Sequence, residues 1–252
     1  MQLKDKVAII TGGARGLGRE FALRFSKEGA RVTICDILDC APVAEEIRSA
    51  GGQVLALKTD VTIEQDTVEM AVRTAERFGG IDILINNAAV YGGIENKNFI
   101  RPFDEIAVPD WDKMMAVNLK GIWLCCKAVA PFMKKQRQGK IVNIASTVAL
   151  AGIPMFMHYT TSKGGVISMT KGLARALGEY NINVNAVAPG MTWTEATRTA
   201  LAGEMADHIM SSQVLKRPTR PEHIAGAVVF LCSADSDQIT GQILAVNAGE
   251  YI

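Results

Sequence analysis

What this 252-residue chain lacks narrows its function before any motif is read. No stretch of about eighteen uninterrupted apolar residues occurs, so a membrane-spanning helix is not expected. The opening residues, Met1-Gln2-Leu3-Lys4-Asp5-Lys6, carry no apolar signal region, which predicts a cytoplasmic protein. Five cysteines, Cys35, Cys40, Cys125, Cys126 and Cys232, are odd in number and show no Cys-x-x-Cys spacing; neither a disulfide framework nor a zinc site follows from them. His158, His208 and His223 are scattered without ligand spacing, so no metal is expected. An excess of one charge is also missing: 27 Lys+Arg stand against 26 Asp+Glu, and no basic run offers a surface to nucleic acid or a membrane. Repeats, low-complexity tracts and linkers are absent too.

What is there is enough apolar sequence for a large core, 48% hydrophobic against 21% charged, arranged as alternating strands and helices. Val7–Ile10 runs into the glycine turn Thr11-Gly12-Gly13-Ala14-Arg15-Gly16-Leu17-Gly18, and Arg19–Glu28 has helical character with Phe21, Ala22 and Phe25 on one side. A turn of this kind between strand and helix lets backbone N–H groups approach a diphosphate, with the helix N-terminus adding partial positive charge. Arg31–Cys35 is a second strand that delivers Asp36 to its carboxyl end, where a carboxylate accepts both ribose hydroxyls of an adenosine and repels a 2′-phosphate. NAD is therefore expected over NADP, although Arg15 could meet a 2′-phosphate.

Gln53–Leu57 reads as a third strand leading to Asp60 and Val61, Glu64–Phe78 as a helix with Val68, Ala71, Val72 and Ala75 inward, and Ile81–Ile85 as a fourth strand. The amides of Asn86 and Asn87 can tie neighbouring strand ends together beside Ala88. Tyr91–Pro102 is a polar loop, and a helix is expected from about Pro109 to Lys135 with Asn118 near its middle. An Asn in so apolar a helix needs partners, either local backbone or a water. Ile141–Ala145, Asn183–Ala188 and Ile243–Val246 complete about seven strands, Pro221–Cys232 is a further helix, and the Met-, Ala- and Thr-rich stretch at about 191–215 resembles a substrate lid. The pattern predicts one domain over 1–252, a doubly wound parallel sheet with helices on both faces.

Chemistry concentrates between Ser146 and Lys163. Ser146 follows a buried strand, and Tyr159 and Lys163 stand four apart on the predicted helix His158–Gly178, on one face. A phenol with an ordinary pKa near ~10 is a poor base at neutral pH, and an ammonium beside it favours the phenolate.

Together these residues resemble the short-chain dehydrogenase/reductase family in its form of roughly 250 residues. Thr11–Gly18, Asp60, Asn86-Asn87-Ala88, Asn118, Ser146, Tyr159, Lys163, Pro189-Gly190 and Thr194 occur in the family's order over nearly the whole chain. The resemblance implies a Rossmann-type fold, Tyr159 as catalytic acid/base, Ser146 orienting the substrate oxygen, Lys163 binding the nicotinamide ribose, and Asn118 holding a water that links Lys163 to solvent. It assigns Asp60 and Val61 to the adenine, Asn87 and Ala88 to the ribose side, and Thr192 and Thr194 to the carboxamide. Two departures stand out: Ala89 replaces a usual Gly, and Asn247-Ala248-Gly249 replaces Asp-Gly-Gly, a tail change expected to bear on subunit contacts. The candidate substrate lining, Tyr91, Thr147, Val148, Ile153, Phe156, Met191, Trp193, Met205 and Ile209, is mostly apolar. The expected activity is NAD-dependent interconversion of a hydrophobic or aromatic secondary alcohol and its ketone, in a homotetramer. A 3-oxoacyl-thioester reductase, a hydroxysteroid dehydrogenase and a nucleotide-bound regulatory scaffold are the alternatives.

Overall fold

The computed structural model of the chain describes residues 1–90, 100–194, 197 and 210–251. Seven strands, Val7–Thr11 (β1), Arg31–Asp36 (β2), Val54–Lys58 (β3), Ile83–Asn86 (β4), Gly139–Ile144 (β5), Ile182–Pro189 (β6) and Ile243–Val246 (β7), form one sheet in the order β3-β2-β1-β4-β5-β6-β7. Every pairing in it is parallel. Among the described residues, the main α-helices are Gly16–Lys27 (α1), Ala41–Ser49 (α2), Glu64–Phe78 (α3), Val108–Met115 (α4), Gly121–Gln136 (α5), Val148–Ala151 (α6), Met157–Leu177 (α7) and Pro221–Cys232 (α8).

Parallel strands need crossovers that return over a face, so both faces are covered and the strands are apolar along their length. β1 and β5 are buried at every residue. Successive side chains then enter different cores. Ala8, Ile10, Ile83 and Ile85 pack with Phe21, Phe25, Ile47 and Val228 of α1, α2 and α8. Ile9, Leu84 and Ile141 pack with Met70, Ile122, Val129 and Val166 of α3, α5 and α7. This is the doubly wound sheet expected from the alternation of elements. β1 lies between β2 and β4, so the chain reverses direction across the sheet there, and the crevice for a ligand opens at Thr11 and Asn86.

Two expectations about helices are corrected. In α3 the buried face is Thr67, Met70, Ala71, Thr74 and Phe78, whereas Val68 and Val72 are 40% and 38% exposed. The threonines displace the valines because their hydroxyls are satisfied: Thr74 Oγ1 donates to the Met70 carbonyl at 2.7 Å and lies 3.0 Å from Thr33 Oγ1. The helix expected from Pro109 to Lys135 runs from Val108 to Gln136 but is interrupted by a π turn, Ala116–Lys120, between α4 and α5. Most of the expected lid, together with Tyr91, Met205 and Ile209, lies outside the described residues.

Candidate active site

At the end of β1 the chain turns through Gly12–Arg15 into α1, and this turn is locked to the end of β4. Thr11 Oγ1 accepts the N–H groups of Asn87 and Ala88, both at 3.0 Å, while Asn87 Nδ2 donates to the carbonyls of Thr11 and Gly12 at 3.0 and 3.1 Å. Gly12 is at φ +67°, and a Cβ there would stand 2.8 Å from Ala88 Cα; one at Gly18 would overlap the Gly12 carbonyl. Gly16 differs: at φ +58° it faces open space. Close packing by two glycines and an open helix start at the third make a cradle for an anion. Leu17 packs against the core behind it, and Arg15 is exposed.

Asp36 ends β2 beside this cradle. Its Oδ2 accepts the Ala14 N–H at 3.2 Å and its Oδ1 the Leu38 N–H at 3.0 Å, which fixes the carboxylate and leaves further acceptor capacity. Asp60 builds the turn into α3, accepting the N–H and hydroxyl of Thr62 at 2.9 and 2.7 Å. Val61 is buried against Gly121, where a Cβ would approach Val61 Cγ2 to 2.8 Å. Gly121 was not singled out in the sequence, where it lay inside the helix expected from Pro109 to Lys135.

The structure brings the ammonium beside the phenol ring. Lys163 Nζ lies 5.7 Å from the Tyr159 ring centroid and donates to the Ile144 carbonyl at 2.7 Å, at the end of β5, two residues before Ser146. Burial without a counter-charge lowers the Lys163 pKa to about 8. Ser146 is 8% exposed. Asn118 sits in the π turn with a buried side chain, which accepts the Val90 N–H at 2.8 Å and donates to the Val90 carbonyl and Ser162 Oγ, both at 3.2 Å. Ser162 Oγ in turn donates to the Tyr159 carbonyl at 2.7 Å, so Asn118 braces the turn that carries Tyr159. Asn118's observed partners are thus the backbone of Val90, distant in sequence, and the Ser162 hydroxyl. Asn86 ties β4 to β5 through Asn143 at 2.8 Å, and Asn143 ties β5 to α7 through Thr170 at 2.9 Å.

Phe156 precedes α7 at φ +47° and presents its ring edge-on to Tyr159, centroids 6.3 Å apart. Val148 and Ile153 are half-buried at the start of α6 and just after it. Beyond β6, Gly190 donates its N–H to the Val246 carbonyl at 3.0 Å, and Met191 is half-buried. Thr192 and Thr194 are organised by Thr197, whose Oγ1 donates to the Thr192 carbonyl at 2.8 Å, accepts the Thr194 N–H at 2.7 Å and lies 3.2 Å from Thr194 Oγ1. Thr197 was missed in the sequence for want of any signal beyond a Thr-rich stretch. Trp193, expected in the substrate lining, instead opens onto a recess of about 450 Å³ with Pro218, Arg220, Pro221 and Glu222.

A family model of short-chain dehydrogenases, described as Enoyl-(Acyl carrier protein) reductase, matches residues 12–250. The chain belongs to the short-chain dehydrogenase/reductase family. It is 37% identical over 251 residues to a 3-oxoacyl-[acyl-carrier-protein] reductase of Staphylococcus epidermidis, covering 98% of this chain and 100% of the relative. It is 38% identical over 255 residues to the (2S)-[(R)-hydroxy(phenyl)methyl]succinyl-CoA dehydrogenase subunit BbsD of Thauera aromatica, covering 100% and 99%. A solved 7α-hydroxysteroid dehydrogenase complexed with NADH and 7-oxo glycochenodeoxycholic acid superposes with a TM-score of 0.91 at 34% identity, covering 98% of this chain and 95% of that one.

As a short-chain dehydrogenase/reductase, the chain is an oxidoreductase that uses a nicotinamide cofactor. The open helix start at Gly16 and the fixed carboxylate of Asp36 suit the two ends of an adenosine diphosphate moiety. Of the family departures, Ala89 is exposed, and Ala248 stands at φ +54°, a conformation natural to the usual glycine. Within the chain the tail reaches the site's supports: the Ala248 carbonyl accepts the Leu215 N–H at 2.9 Å, and Gly249 packs on Val214.

Proposed function

We propose that this chain is an NAD-dependent oxidoreductase that interconverts a 3-hydroxyacyl thioester and the corresponding 3-oxoacyl thioester, with an apolar or aromatic acyl part. The observation that carries the cofactor half is the Asp36 carboxylate, held at the end of β2 by two N–H groups, where a 2′-phosphate would meet a like charge. The substrate half is supported by relatives: a 3-oxoacyl reductase and a hydroxyacyl-CoA dehydrogenase differ in carrier and acyl group but share a secondary alcohol on an acyl thioester. Thioester reduction therefore fits better than action on a simple alcohol or ketone. The half-buried apolar wall of Val148, Ile153 and Phe156 suits the acyl part.

In this reading Gly12, Arg15, Gly16, Leu17, Gly18, Asp36, Asp60, Val61, Asn87, Ala88, Pro189, Gly190, Thr192 and Thr194 hold the cofactor, with Lys163 on the nicotinamide ribose. When bound, the nicotinamide supplies or accepts the hydride at the carbon bearing the oxygen. Ser146 holds that oxygen, and the Tyr159 phenol gives it a proton in reduction and takes one in oxidation. Lys163 beside the ring favours the phenolate that remains, and Asn118, through Ser162, keeps the Tyr159 turn in place. The reading includes a cytoplasmic location and a homotetramer, the latter supported by the open, mostly apolar groove of Met115, Leu119, Trp123 and Met169 along α4, the π turn, α5 and α7.

A second reading, hydroxysteroid dehydrogenase, is favoured by the steroid-binding structural neighbour. Turnover of 3-oxoacyl-CoA, a 3-oxoacyl carrier protein and a 7-oxo bile acid, each with NADH and with NADPH, separates the readings. The proposal expects the thioesters with NADH to give the highest kcat/KM; a preference for the bile acid would replace the substrate, and a preference for NADPH would remove the Asp36 argument.

A further inference from the structure

The hydroxyls that follow β6 have a fixed polarity, and it is set by Thr197. This residue is buried, and its Oγ1 meets the Thr194 N–H at 2.7 Å, the Thr192 carbonyl at 2.8 Å, the Thr194 carbonyl at 3.1 Å and Thr194 Oγ1 at 3.2 Å. A threonine hydroxyl has one proton to give and two lone pairs. Carbonyl oxygens only accept, so the Thr197 proton lies on a carbonyl, the nearer being that of Thr192, and the Thr194 N–H takes one of the lone pairs. A lone pair is what remains toward Thr194 Oγ1. In the contact between the two hydroxyls Thr194 is therefore the donor and Thr197 the acceptor.

The rest of the turn is fixed in the same sense. The Thr194 N–H also reaches the Thr192 carbonyl at 3.0 Å, which closes the turn tightly, and Thr192 Oγ1 donates to the Gly190 carbonyl at 3.0 Å. Thr192 is bridged in parallel to Thr219, whose carbonyl accepts the Trp193 N–H at 2.9 Å, so the turn is joined in a short ribbon to the segment that leads into α8. Both threonines that the reading places at the nicotinamide carboxamide thus have their hydroxyl protons committed inside the protein. Each keeps only lone pairs for a ligand.

We propose that Thr197 is a positioning residue for the cofactor: it holds the Thr194 hydroxyl as an acceptor, so the turn selects the NH₂ side of the carboxamide and sets which way that group faces. A dinucleotide whose ring substituent offers an acceptor but no N–H has to turn the Thr194 proton away from Thr197, and one hydrogen bond is lost. The assignment rests on the reading that puts Thr192 and Thr194 at the carboxamide, and it gives that contact a direction.

Calorimetric titration with NAD, thionicotinamide adenine dinucleotide and 3-acetylpyridine adenine dinucleotide tests this without turnover. The first two carry NH₂ on the ring substituent, and the third carries a methyl group in its place. Wild type should bind the first two with similar Kd and the third roughly fivefold more weakly, the factor that one hydrogen bond supplies. In Thr197→Val the Thr194 hydroxyl is free to donate to the acetyl oxygen, and the preference should fall below about twofold; Thr197→Ser keeps a hydroxyl and should keep the preference. Loss of packing alone would weaken all three ligands alike. Tighter binding of the acetylpyridine than of the thionicotinamide dinucleotide by wild type, a preference that survives in Thr197→Val, or one that is lost in Thr197→Ser would overturn the assignment. Should Thr197→Val not fold, the wild-type order of the three ligands and Thr197→Ser decide it. Equal binding of all three by wild type would mean that the carboxamide does not meet these threonines, and the cofactor contacts of the reading would fall first.

Discussion

Asp36 and Lys163 carry the account at the scale of single residues. Asp36 has no cationic partner among the described residues; it is held by backbone N–H groups, so its charge is free to act on the ribose. Asp36→Ala should lower kcat/KM with NADH and raise it with NADPH, shifting the ratio by at least about tenfold, since a lost charge contact and a removed repulsion each contribute ~1–2 kcal/mol. Lys163 makes a prediction about pH. Its pKa falls from 10.5 to about 8 on burial, so between those values the unfolded chain holds a proton that the folded chain has released. Stability from this group therefore rises with pH across that window, and below it the penalty of burying the ammonium is present in full. Urea unfolding of the cofactor-free protein at several pH values should show wild type gaining on Lys163→Met by up to about 3 kcal/mol, at ~1.4 kcal/mol per unit. A difference independent of pH would mean that the ammonium is not desolvated in the folded state.

Among the elements, the strands and most helices were legible because parallel sheets demand continuous apolar runs separated by periodic helices. Pro221–Cys232 and Ile243–Val246 have the bounds expected of them. What escaped depends on side-chain satisfaction, which spacing does not encode. Thr67 and Thr74 look polar in α3 yet face the sheet, and Val68 and Val72 look apolar yet face out. The π turn is invisible to a helical period because one extra residue per turn leaves the flanking helices in place. Asn118→Ala should release Val90 and Ser162, lowering kcat at least tenfold with little change in KM for the cofactor, as steady-state kinetics would show. The tail offers a gain instead: Ala248→Gly relieves a left-handed alanine and should raise stability by ~0.5–1 kcal/mol, read as a higher Tm. An unchanged or lower Tm would show that the alanine methyl is not strained.

For the whole molecule, function follows from one topological fact, the reversal between β1 and β4. It brings Thr11, Gly12 and Asn87 together, opens the rim for a dinucleotide, and leaves β5 and β6 to deliver Ser146 and the ribbon at Thr192 to the other half of that rim. α7 then places Tyr159 and Lys163 over the carboxyl end of β5. The proposed catalytic set stood out in the sequence as a pattern, Ser146 just past a strand and Tyr159 and Lys163 four apart on one helix. The surroundings of Trp193 did not stand out, because they depend on how the segment after β6 meets Thr219, a contact distant in sequence. The direct test of the assembled site uses NADH carrying deuterium at the transferable position of the nicotinamide, mixed with a 3-oxoacyl thioester and followed by mass spectrometry of the product. The expected result is one deuterium at the carbinol carbon with wild-type protein, and a rate reduced by ~10²–10⁴-fold in Tyr159→Phe, which still binds NADH. Unlabelled product, or labelling at the wild-type rate in Tyr159→Phe, would contradict it.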